Sequence, residues 1–222
     1  MADSGILCPF QIGKSLNNMS FSSPQPNLLT AHILAGGRAS RMQEKDKGLL
    51  PLHGIPLIQH VINRLKPQVN TFCISANRHQ AEYAALGWPV ISDSISGFPG
   101  PLAGFLTALE NCHSEWILNV PCDCPYLPDD LAKRLCTSVC DSRRPIGVVR
   151  TEEGMQPTFC LLHRSLVGDL NRFLQQGGRK AGHWIRQQHA AIADFSGEDE
   201  AFININTPDD LQHAEEKQPR TN

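Results

Sequence analysis

The sequence predicts an α/β fold of three layers, a mostly parallel sheet with helices on both faces, and three observations point to it. Short apolar runs recur along the chain, the segments between them carry helical periodicity, and several runs end on glycine or aspartate. At 222 residues, 41% of them hydrophobic, the chain has the size and the material for one ordinary domain with modest additions. Twenty Lys and Arg stand against 22 Asp and Glu, a formal net charge of -2. No global field therefore draws the protein to nucleic acid or to an anionic membrane, and binding must come from a local site. No run approaches the roughly 18 apolar residues of a membrane span, and the first ten residues lack the basic start and apolar stretch of a secretory signal. The eight cysteines are scattered through apolar segments, as free thiols in a reducing compartment would be, so a cytoplasmic location is expected.

Residues 1–28 are rich in Ser, Asn, Pro and Gln without periodicity, and they are read as a flexible extension. A single domain is expected over residues 29–217, with a flexible tail at 218–222. Residues 28–35 form an apolar run that enters a tight Gly36-Gly37 loop, a buried strand with His32 packed inside it. Pro56 opens a helix whose Ile58, Val61, Ile62 and Leu65 share one face. Residues 69–76 read as a strand, 80–86 as a weaker helix, and 89–93 as a third strand. A helix over 102–112 precedes a fourth strand at 116–120. Pro128 and the two aspartates after it lie near the first turn of a helix carrying Leu131, Leu135 and Val139. Strands at 146–149 and 158–162 follow, then a helix from Ser165 to a Gly177-Gly178 stop and a terminal helix capped at Thr207.

In parallel sheets, ligands bind beyond the carboxyl ends of the strands. That places the chemistry at Gly36-Gly37, residues 75–78, Asp93 and Asp123. Adjacent glycines after a strand let backbone N–H groups approach an anion, and Arg38, Arg41, Lys45 and Lys47 follow at once. The arrangement suits a phosphate, although neither common phosphate-loop pattern can be written over it. Asp93 and Asp123 are strand-end carboxylates of the kind Mg²⁺ uses together with water and substrate phosphates; the alternative is that each caps a turn. Cys122, Cys124, Cys136 and Cys140 could form a zinc site, but the first spacing is tight and the last pair falls on an amphipathic helix, so buried thiols are the better reading. Asn204 and Asn206 either bind a polar ligand or pin a turn, with the turn favoured.

The ordered set Leu34-Ala35-Gly36-Gly37 with Arg41-Met42, Asp46-Lys47-Gly48, residues 76–80, residues 99–104, Pro121-Cys122-Asp123 and Asn204 to Pro208 resembles the molybdenum cofactor guanylyltransferases over about residues 30–215. The resemblance implies a Rossmann-like nucleotidyltransferase sheet and transfer of GMP from GTP to the phosphate of molybdenum-bearing molybdopterin. The products would be molybdopterin guanine dinucleotide and pyrophosphate, with Mg²⁺ as cofactor. It implies that Leu34, Ala35 and Gly36 contact the guanine nucleotide, that Lys47 binds its phosphates, that Asp93 lies in the nucleotide pocket, and that Asp123 holds Mg²⁺. On this reading Lys47, Asp123 and Arg41 are catalytic, Arg41 joining Lys47 and the Gly36-Gly37 amides in neutralising the leaving pyrophosphate, and Gly37, Ser75, Asn77, Arg179, Asn204 and Asn206 are further substrate contacts. Members of the family often have Asn where this chain has Ser75, and Thr where it has Cys124; neither change removes a catalytic group. The pathway implies transient contacts with proteins that deliver molybdopterin and with molybdoenzyme chaperones, no nucleic acid, no membrane, and a monomer. Two rival readings stand: the same transfer from CTP, and a nucleotide-binding cofactor carrier without turnover.

Overall fold

The computed structural model describes residues 21–36, 46–93 and 100–216. Its centre is a seven-stranded sheet built from β1 (Thr30–Leu34), β4 (Thr71–Ser75), β5 (Val90–Ile91), β6 (Trp116–Pro121), β7 (Ile146–Thr151), β8 (Gly154–His163) and β9 (Ala191–Asp194), in the order β5-β4-β1-β6-β8-β7-β9. All neighbours pair in parallel except β8, which runs antiparallel to both β6 and β7. A two-stranded ribbon of β2 (Pro51–Leu52) and β3 (Ile55–Pro56) lies apart from it.

Helices cover both faces, as expected. On one side α1 (Leu57–Leu65), α2 (Gln80–Ala84) and α4 (Leu131–Ser142) bury Ile58, Val61, Tyr83, Leu131 and Leu135 against Ala31, Ile33, Ile74, Leu118 and Leu161. On the other side α3 (Pro101–Asn111), α5 (Val167–Gln175) and α6 (Ala181–Gln187) bury Phe105, Leu170 and Trp184 against Cys73, Ile117, Val148 and Leu162. Alternate residues of β8 serve the two cores, Leu161 one and Leu162 the other, because side chains along a strand point to opposite faces. The terminal helix α7 (Pro208–Glu216) closes a third, smaller cluster with Leu52, Leu57 and Ile205. Its start is a reciprocal cap: the Thr207 hydroxyl accepts from the Asp210 N–H, and the Asp210 carboxylate accepts from the N–H groups of Asn206 and Thr207.

Within the extension expected over residues 1–28, the Phe21 ring meets Trp116 edge-on at 5.7 Å and the Trp116 indole donates to the Ser22 carbonyl. Residues 1–20 and the expected tail at 218–222 lie outside the described residues. Pro128 lies just before the first turn of α4, as expected, and the Leu131 N–H bonds back to its carbonyl. The segment from Ser165 opens as a 3₁₀ turn, and α5 proper starts at Val167. Among the described residues no helix is long and apolar enough to cross a membrane.

Candidate active site

β5, β4, β1 and β6 are consecutive parallel neighbours, so their carboxyl ends open onto one edge. Residues 92–93, 76–77, 35–36 and 122–123 follow those four strands. Asn77 and Asp93 clasp each other across the first two: the Asn77 amide nitrogen donates to Asp93 Oδ2 at 2.8 Å, and the Asp93 N–H donates to Asn77 Oδ1 at 3.0 Å. A Cβ on Gly36 would stand 3.1 Å from Asn77 Nδ2 and 3.5 Å from Asp93 Oδ2, so only glycine leaves this approach open. The second carboxylate oxygen, Asp93 Oδ1, is buried and has no hydrogen-bond partner among the described residues. An unpartnered buried acceptor costs the folded chain about 1–3 kcal/mol unless a ligand supplies a donor.

Lys47 and Asp123 make up the other half. Lys47 Nζ stands 3.5 Å from Asp123 Oδ2 and also donates to the Asn206 side-chain carbonyl. The lysine is aimed by its neighbours. Asp46 is buried and accepts from the Tyr83 hydroxyl, while Gly48 presses so close that a Cβ there would meet Tyr83 Oη at 2.6 Å and Cys122 Sγ at 3.2 Å. Asp46, Lys47 and Gly48 therefore work as one unit: anchor, cation, and a residue with no side chain to obstruct the packing. Burial raises the Asp123 carboxyl above the usual carboxylate range, and the Lys47 charge opposes that rise.

Asn204 and Asn206 do pin the chain, as the turn reading expected, and they pin it onto this site. The Ile205 N–H donates to the Asp123 carbonyl at 2.9 Å, and Cys124 Sγ donates to the Asn204 side-chain carbonyl. The thiol that stands in place of threonine thus keeps a donor role. Leu34 and Ala35 lie at the end of β1, with Ala35 N–H bonded to the Ser75 carbonyl. Arg179 packs its backbone carbonyl 3.9 Å from the position of a Gly100 Cβ at the start of α3, and its guanidinium donates to the carbonyls of Leu174 and Gly178. Gly37, Arg38, Arg41, Lys45 and Pro99 lie outside the described residues.

Asp93 and Asp123 hold different partners: the Asp93 carboxylate lies with Asn77 over Gly36 at the end of β1, whereas Asp123 pairs with Lys47 after β6. Among the described residues no cluster of three metal-ligating side chains occurs, and the four cysteines read as a possible zinc set instead put Cys122, Cys124 and Cys136 into the core. Asp123 alone, a hard oxygen donor beside a lysine at a strand end, fits Mg²⁺, which keeps several waters and takes phosphate oxygens for the rest of its shell. Sequence reasoning missed Tyr83. Its only sequence signal is one aromatic inside the weak helix after Asn77.

Comparison with known proteins identifies the family and supports the fold. The family described as the MobA-like NTP transferase domain matches residues 31–192. The molybdenum cofactor guanylyltransferase of Shewanella loihica is 43% identical over 87% of this chain and 97% of its own length, and that of Shewanella woodyi is 44% identical over 85% and 96%. The crystal structure of molybdopterin-guanine dinucleotide biosynthesis protein A from Archaeoglobus fulgidus superposes with a TM-score of 0.66 at 23% identity, covering 84% of this chain and 97% of that one, which supports the fold. With a family match over most of the sheet and relatives this similar along nearly their whole length, the chain belongs to the molybdenum cofactor guanylyltransferases, within the MobA-like NTP transferase family.

Proposed function

We propose that the chain transfers GMP from GTP to the phosphate of molybdenum-bearing molybdopterin, releasing pyrophosphate, and that the four strand ends are its active site. The observation that carries the reading is the split of that edge into a cation-carboxylate half, Lys47 with Asp123, and a polar half, Asn77 with Asp93. The first half suits a triphosphate with its metal, and the second suits a base and ribose. In the transfer a substrate phosphate oxygen attacks the α-phosphorus of GTP, and the bond to pyrophosphate breaks. That oxygen is already anionic, so no side chain must remove a proton, and the protein contributes positioning and charge neutralisation. Accordingly the reading assigns no general base.

Lys47 neutralises charge on the leaving pyrophosphate, held on line by Asn206 and the Asp46–Tyr83 anchor. Asp123 would hold Mg²⁺, which when bound acts as a Lewis acid on phosphate oxygens. Gly36 keeps the floor open, and Leu34 and Ala35 line it. The unpartnered Asp93 Oδ1 favours a base edge rich in N–H donors. Guanine offers a ring N–H beside an amine, whereas cytosine offers only the amine. Ser75, Arg41, Gly37, Arg179 and Asn204 are assigned to substrate binding with the family. Turnover measured side by side with GTP, CTP and ATP tests the assignment: GTP is expected to support pyrophosphate release at least tenfold faster, and equal or faster release from CTP overturns it.

A further inference from the structure

Beneath the strand ends lies a buried polar trio of which the motifs touch only Ser75. His32 on β1, Asn119 on β6 and Ser75 on β4 are 0%, 0% and 1% exposed. His32 and Asn119 are direct register partners, while Ser75 lies two pairs beyond His32's partner Cys73, on the same face of the sheet. His32 Nδ1 is 2.8 Å from Asn119 Oδ1, and His32 Nε2 is 2.5 Å from Ser75 Oγ. Asn119 turns its amide nitrogen toward the carbonyls of Ile117 and Cys160, so its oxygen faces the ring. His32 Nδ1 must therefore carry the proton, which leaves Nε2 to accept from the Ser75 hydroxyl. Burial holds the imidazole neutral, with its pKa lowered to about 4.

The trio crosses the three adjacent strands whose ends carry Asn77, Gly36 and Asp123. It also touches the roof: a Cβ on Gly104 of α3 would lie 3.5 Å from His32 Cε1 and 3.7 Å from the unpartnered Asp93 Oδ1. An apolar core would need no such device here, and burying three polar side chains is costly unless each is paired.

Resting on the reading that this edge binds the nucleotide, we infer that His32 is a positioning residue for the nucleotide site, a relay fixed by Asn119 that commits the Ser75 proton inward. Ser75 is thereby left with only acceptor lone pairs at the end of β4. The relay ties the base half of the site to the phosphate half, and it makes the shorter Ser75 a fixed group where relatives often carry asparagine.

Two measurements test this. In the unmodified full chain, nitrogen-resolved NMR of the histidine rings is expected to show His32 as the neutral tautomer protonated at Nδ1; protonation at Nε2 would overturn the relay whatever any variant does. In titration calorimetry with GTP and Mg²⁺, His32→Leu and Ser75→Ala are each expected to weaken GTP binding about tenfold, with the double variant no weaker than either single one. A Ser75→Ala protein that binds GTP as well as the parent, or additive losses in the double variant, contradicts the inference. Neither readout needs the molybdopterin substrate, so failure of the transfer assay and failure of the relay can be told apart.

Discussion

Asp123 and Lys47 show how two ordinary side chains become a site. Burial makes the Asp123 charge costly, and the lysine 3.5 Å away partly offsets that cost. Because its carboxyl is raised, the native state holds that proton more tightly than the unfolded chain does, so Asp123 costs stability as pH rises above the usual carboxylate range. Asp123→Ala is therefore expected to fold with a urea midpoint at or above the parent's, while transfer falls at least ~100-fold through loss of the metal ligand. Full turnover of that variant at saturating Mg²⁺ would exclude the assignment. In the protein without metal or nucleotide, the same shift places the Asp123 titration above that of an exposed aspartate. In Lys47→Met, where the opposing charge is gone, NMR titration of the Asp123 carboxyl should move to still higher pH. An unmoved titration would show that Lys47 does not act on Asp123. At this scale much was legible: Asn77, Asp93 and Asp123 follow the strand ends that strand-end logic named, while Lys47 reaches Asp123 from a 3₁₀ turn. Tyr83 was not, because its role is a contact with Asp46 across 37 positions of sequence.

The element that aims the lysine is the 3₁₀ turn Lys47–Leu49, wedged between Tyr83 of α2 and Cys122 after β6. A methyl group on Gly48 would have to displace a tyrosine hydroxyl already bonded to Asp46. Gly48→Ala is expected to destabilise the protein by about 1–3 kcal/mol in urea unfolding and to weaken GTP binding as well. Loss of stability with unchanged affinity would mean the turn packs the core without aiming Lys47. Elements with strong periodicity, such as α1, were readable within a residue or two. Others were hidden for physical reasons. β8 runs over ten residues, but Pro157 interrupts its pattern, and the register slips between Val148 and Val149 opposite that proline. α6 is one short helix with a glycine at its second position, and β2 and β3 are two residues each. None carries enough pattern to stand out.

Across the whole molecule, alternation of strands and helices announced the α/β class, but not the strand order or the reversed β8. Those follow from long-range pairing, which leaves no local mark. The relay under the site has a global consequence too. His32 is lowered to about 4 from an ordinary 6.5, chiefly by burial, so the unfolded chain takes up that proton first as pH falls. Its contribution is fully present above pH 6.5 and lost toward pH 4, about 2 kcal/mol by pH 5. His163, also lowered by burial, adds in the same direction. Urea unfolding at pH 7 and pH 5 is expected to show this loss, and His32→Leu should remove most of it; an equally steep variant would place the sensitivity elsewhere. The central claim is that this sheet edge performs guanylyl transfer. A single-turnover reaction of the purified full chain with GTP, Mg²⁺ and molybdenum-loaded molybdopterin tests it most directly. One molybdopterin guanine dinucleotide formed for each pyrophosphate released is the expected result, and GTP bound without either product would contradict the account.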